Sequence, residues 1–151
     1  MLPKRINAEV VKKSIGAYAD DKVSQAERGR IYEELIGFVP PRIEARLSVT
    51  GALDPVMVDL QEQIRSHGMY PKNFDVKTAQ LMLFGMLLMD ASDAAILHGL
   101  AARRAGASWG EMQDVINLCF LFRGLSAANR GAEILANIAE REQNSTTQGG
   151  K

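Results

Sequence analysis

Apolar residues recur along this chain with a helical period, and the breaks between the recurring runs carry helix-type punctuation. A weakly amphipathic segment spans about Asn7 to Tyr18. Ser24-Gln-Ala-Glu27 is a capping box, which predicts a helix from there to about Gly37. Phe38-Val-Pro-Pro41 then breaks the chain, and Pro40 and Pro41 suit the first turn of a helix that would fade by Gly51. Asp54-Pro55 opens another, with Met57, Leu60 and Ile64 as its expected core face, His67 in its last turn and a stop at Gly68.

Asp75 is an N-cap for a central helix, because Ala79 to Met89 is apolar on every side except at Gln80 and Gly85. Asp90 or Ser92 caps the next helix, which ends at Gly106, and Ser108-Trp-Gly-Glu111 is a second capping box. In the helix it opens, Met112, Val115, Ile116, Cys119 and Phe120 form a core-facing stripe, and Gly124 closes it. Ser126 caps the last helix, where Ala128, Gly131, Ala132 and Leu135 offer a face of small residues. No segment reads as a strand, no repeat and no internal linker is visible before residue 143, and the pattern predicts an all-α bundle of about seven to eight helices. The polar, Gly-rich stretch 143–151 reads as a disordered tail.

Composition narrows the picture. With 151 residues the chain has the length of one domain, and 18 basic against 18 acidic residues give no net field toward nucleic acid or an anionic membrane. The longest apolar run, Leu81 to Met89, is too short to span a bilayer, which takes about 20 residues. A single cysteine allows no disulfide framework, and the first residues lack an apolar signal core, so the expected compartment is the cytoplasm. No spacing of His, Cys and carboxylates suits a metal and no Gly-rich phosphate loop follows a strand, so no cofactor is expected.

The chemistry-bearing candidate is His98, on the helix after the central one and in line with Ala91, Ala94 and Ala101. Either it is a core histidine satisfied by a backbone carbonyl, or it is a general acid or base in a space left by small neighbours. Gln80, the one polar side chain of the central helix apart from its capping turn, either satisfies a buried backbone group or lines the same space. Arg123 continues the stripe of Met112 to Phe120, so it is expected to point inward, where a guanidinium grips a carboxylate with two parallel bonds. The competing placement is outward from the last helical turn, where a cation favours the helix dipole. Cys119 reads as core packing, His67 as a helix C-terminal cation, and Trp109 as a packing or subunit contact.

From Phe74 to Ile138 the chain resembles the carboxymuconolactone decarboxylase and alkylhydroperoxidase D (AhpD-like) superfamily. The residues that carry the resemblance are the central helix after Phe74-Asp-Val-Lys-Thr, His98 followed by Gly-Leu-Ala-Ala-Arg-Arg-Ala-Gly-Ala-Ser, Glu111, and Gly124-Leu-Ser-Ala-Ala-Asn129. The resemblance implies an AhpD-like helical bundle of one structural domain, with a core at 74–142 and a helical extension at 1–73 packed on it. In peroxidase members a Cys-x-x-Cys pair precedes the histidine and a glutamate on the central helix completes a relay. Here the cysteine positions are Ala91 and Ala94 and the glutamate position is Gln80, so the paired-sulfur mechanism of the peroxidase members is missing and that activity is not expected.

Decarboxylase members resemble the chain better, since they keep the histidine without the cysteine pair. They often carry an acid where Ala94 stands; the nearest substitutes are Asp90 and Asp93, with Asp93 about 100° away around the helix. The resemblance thus implies a lyase of aromatic-compound catabolism acting on a small carboxylated lactone or keto acid, with His98 as proton donor and Arg123, Gln80, Asp93 and Asp90 as candidate substrate contacts. Two other expectations stand beside it: a non-catalytic oligomer that kept the fold after losing the relay, and an isomerase or hydrolase using the same histidine. The resemblance also implies a homo-oligomer, trimer or hexamer, and the balanced charge leaves no nucleic-acid or membrane partner expected.

Overall fold

The computed structural model describes residues 3–148, which form eight helices and, among the described residues, no strand. Contacts divide the chain into two compact units that part between Pro71 and Lys72, in the turn between the fourth and fifth helices. Among the described residues no helix is long and apolar enough to cross a membrane.

The first unit holds α1 (Ala8–Ser14), α2 (Gln25–Ile36), α3 (Pro41–Leu53) and α4 (Pro55–Met69). The Asn7 side chain caps α1 by accepting from the Val10 amide. α1 ends at Ser14, short of Tyr18, and Gly16 follows with a φ of +134° that an L side chain resists. Both capping-box bonds at Ser24 form, and Gly37 closes α2 in the left-handed conformation. α3 does not fade at Gly51: the helix runs through it, and the missing side chain makes room for the Tyr18 ring, which a Cβ there would strike. Asp54 then caps α4 through the Met57 amide, and α4 also continues through Gly68.

The face of α4 is the reverse of the expected one. Met57, Leu60 and Ile64 are exposed, whereas Val58, Asp59 and Glu62 are buried. The reason is that arginines from α2 and α3 reach the two carboxylates, and burying an acid together with its hydrogen-bonded cation avoids the cost of leaving either alone.

The second unit holds α5 (Val76–Met89), α6 (Ala95–Arg104), α7 (Trp109–Arg123) and α8 (Leu125–Gln148). α5 packs against the other three helices, with Phe84 and Leu88 buried in the core beside Met112, Ile116 and Ile138. It is not enclosed all round as its composition predicts, since Met82 and Met86 lie on an open side. α8 buries Ala127, Gly131, Ile134 and Ile138, a face rotated slightly from the expected Ala128, Gly131, Ala132 and Leu135. Gly131 is the point of closest approach, because a Cβ there would stand 2.6–2.9 Å from three carbons of Ile116. α8 starts at Leu125, so Ser126 lies inside its first turn. The helix continues to Gln148, which makes residues 143–148 helical where composition suggests a tail; residues 149–151 lie outside the described residues.

Candidate functional site

His98 is the fourth residue of α6, and Gln80 is the fifth residue of α5. Gln80, Phe84 and Leu88 recur at a spacing of four and turn inward together, which fixes the amide in the core of the second unit. α6 comes close to this face because Gly99 has no side chain; a Cβ there would stand 2.7 Å from Ile138 and 3.6 Å from the Phe84 ring. The outcome is a hydrogen bond of 2.8 Å between His98 Nδ1 and Gln80 Oε1. Gln80 is wholly buried, while His98 is half-buried.

An amide buried without a partner costs about 1–3 kcal/mol, so this bond offsets a real penalty and holds the ring in place. It also sets the chemistry of the ring. An amide oxygen only accepts, so Nδ1 carries the hydrogen, and a neutral imidazole of that form has its lone pair on Nε2. Glutamine cannot ionise, so it orients the ring without passing a proton on.

The other expected residues are placed differently. Ala91 does not share a helix with His98: α6 begins only at Ala95, and Ala91 sits in the preceding turn with a left-handed φ of 53°. Ala94 is the N-cap position of α6, one turn before His98, and makes no side-chain cap; the N-cap is thus neither Asp90 nor Ser92, although Ser92 Oγ accepts the Ala94 amide at 3.3 Å. Asp90 is the exposed C-cap of α5. Asp93 is exposed too, and its Oδ1 accepts from Arg130 Nη2 of α8 at 2.9 Å. Arg123 is exposed, contrary to its expected inward placement. The stripe of α7 is buried at Met112, Ile116 and Cys119, but Phe120 is already 44 % exposed, so the helix has left its neighbours before Arg123.

Cys119 lies in the core, with Sγ 3.5 Å from the Gly85 carbonyl, and burial pushes its thiol up from the ordinary value. A thiol held protonated in this way is a poor nucleophile. Trp109 serves as a platform: the Arg103 guanidinium stacks 4.0 Å above its ring and grips Glu142 with two bonds of 2.9 and 3.0 Å. His67 is exposed in the last turn of α4. Among the described residues no group of three or more His, Cys, Asp or Glu is arranged to hold a metal ion.

A second cluster escaped the sequence reading. In the first unit Arg28, 4 % exposed, donates from Nε to the Tyr18 hydroxyl at 2.8 Å, from Nη2 to Asp59 at 2.9 Å, and to Asp20. Beside it, the Tyr32 hydroxyl donates to Glu62 Oε1 at 2.7 Å, Arg46 binds Glu62 and the Tyr32 oxygen, and Arg65 Nε reaches Glu62 Oε2 at 3.3 Å. Burial alone would raise the Glu62 carboxyl; the Arg46 and Tyr32 bonds and the Arg65 charge outweigh it and hold the group below its usual range. Tyr32 is pushed up, first by burial and then by its bond to Glu62, so it remains a donor. Charges paired in this way clamp α2, α3 and α4 together. The sequence signal was the run Arg28, Tyr32, Leu35 on α2, where a cation shares the face of the core residues.

Comparisons with protein-family models, with curated proteins and with solved structures return no match to this chain.

Proposed function

We propose that the second unit carries a histidine acid–base site and that the protein is a carboxymuconolactone decarboxylase-like lyase acting on a small carboxylated lactone or keto acid. The observation that carries the reading is the 2.8 Å bond from His98 Nδ1 to the buried Gln80 oxygen. It supports the reading because a half-buried ring anchored through Nδ1 is held in one orientation and exchanges a proton through its other nitrogen. In the reaction, the bond between substrate carbon and carboxylate breaks, its electron pair stays on the carbon as a dienolate, and carbon dioxide departs. His98, protonated at Nε2 from solvent, returns that proton to the carbon. Gln80 acts as the positioning residue. Arg123, exposed on α7, has no part in this mechanism.

One observation favours the non-catalytic reading. The relay positions Gln80, Ala91 and Ala94 hold no ionisable group, and Asp93 is engaged by Arg130.

A thermal-shift screen with lactones, keto acids and muconate-like diacids, followed by turnover of any stabilising compound, separates the two readings, because a ligand that binds only the folded state raises its apparent stability. The lyase reading expects a stabilising compound that is decarboxylated, with turnover lost in His98→Ala while circular dichroism stays helical. Full turnover in His98→Ala, or binding with no carbon dioxide released, overturns it.

A further inference from the structure

The inversion of α4 leaves an apolar face outside. Val56, Met57, Leu60 and Ile64 stand at 68, 44, 47 and 74 % exposure, and Leu53, just before the helix, is at 67 %. The helix cannot turn over to hide them, because its opposite face is fixed by Asp59 and Glu62, which Arg28, Lys22, Arg46, Arg65 and Tyr32 hold by hydrogen bonds or ion pairs. We propose that this face is where two copies of the chain meet, with α4 of one packed antiparallel on α4 of the other.

Three features select a second copy as the occupant. The spacing reads nearly the same from both ends: with Leu60 on a two-fold axis, Val56 and Met57 of one copy fall opposite Ile64 of the other, as an isologous contact requires. Between Val56 and Ile64 the face carries no carboxylate or ammonium. Its exposed polar neighbours are Asp54, Gln63 and His67, and Arg65 is turned inward onto Glu62 and the Tyr32 ring, so identical faces meet without guanidinium repulsion, and an antiparallel pair sets the two Asp54 carboxylates at opposite ends. A membrane surface, by contrast, calls for lysine or arginine along the polar edge. Finally, wholly covered, the exposed fractions amount to about 500 Å² of apolar surface per copy and about 1,000 Å² across a pair, the least that a biological interface buries and short of the roughly 1,200–2,000 Å² of a standard stable one. The inference does not depend on the chemistry at His98.

Sedimentation equilibrium and light scattering on the full chain test it. The wild type is expected to have an even multiple of the 16.5 kDa chain mass. Leu60→Glu and Ile64→Glu are expected to lower that mass by half or more at unchanged helical content. If the acidic variants fail to fold, Leu60→Cys provides the second measurement: mild oxidation should link two copies across the axis, while the buried Cys119 stays reduced. A monomeric or trimeric wild type, an unchanged mass in folded acidic variants, or a Leu60→Cys protein that is oligomeric yet forms no cross-link overturns the proposal.

Discussion

Replacing Arg46 by methionine tests whether the charge cluster of the first unit stabilises the fold. In the wild type, Arg46 Nη2 binds Glu62 and the Tyr32 hydroxyl, and Nη1 donates to Gln61 at 2.9 Å. The Glu62 side chain is only 4 % exposed, whereas that of Arg46 is 29 % exposed. Breaking a fully buried pair costs about 3–5 kcal/mol. Solvent reaches Arg46, and Tyr32 and Arg65 still hold Glu62 after the change, so the expected loss is about 2 kcal/mol at neutral pH. In urea this corresponds to a fall of about 1 M in the unfolding midpoint for a typical slope. Near-ultraviolet circular dichroism is the suitable signal, because Tyr18, Tyr32 and Tyr70, the three tyrosines of the chain, all lie in the first unit.

The pH dependence follows from the direction of the Glu62 shift. Its carboxyl is lowered in the fold from 4.5, so between the folded and unfolded values the unfolded chain binds more protons. The stabilisation is therefore complete above about 4.5 and is lost as pH falls through the folded value. Without Arg46, Glu62 is depressed less, so the gap between wild type and variant should be widest at neutral pH and should narrow in acid. Equal midpoints at neutral pH, or a gap that holds constant or widens on acidification, would contradict this account of the cluster.

Other measurements address the second unit. Gly131→Ala gains about 1 kcal/mol of helix propensity but drives a methyl into Ile116, an overpacking cost of about 1–3 kcal/mol, so the thermal midpoint should fall and a rise would contradict the close packing. Ser108→Ala removes an oxygen that accepts the Glu111 amide at 3.1 Å and should cost about 1 kcal/mol in chemical denaturation. Cys119 should resist iodoacetamide in the native protein and react fully in urea; rapid native labelling would show that it is not buried. Nitrogen NMR of the neutral His98 ring should find the proton on Nδ1, and a proton on Nε2 would deny the acceptor role of Gln80.

Local pattern was enough to specify the all-helical class and most helix starts, because a cap is a bond between residues three apart: Ser24 with Glu27, Asp54 with Met57, Asp75 with Thr78, Ser108 with Glu111. It also singled out His98 and Gln80, each a polar residue in a small or apolar setting. Their pairing across eighteen positions came only with folding, as did the fate of α4, whose apolar residues face outward because Arg28 reaches Asp59 from thirty-one positions away. Packing likewise left Arg123 beyond the end of its buried stripe and put Ala91 in a turn. Helical period tells which residues share a face, but which face is buried depends on partners supplied from elsewhere in the chain, and a cation in the right place can bury an acid in preference to a leucine.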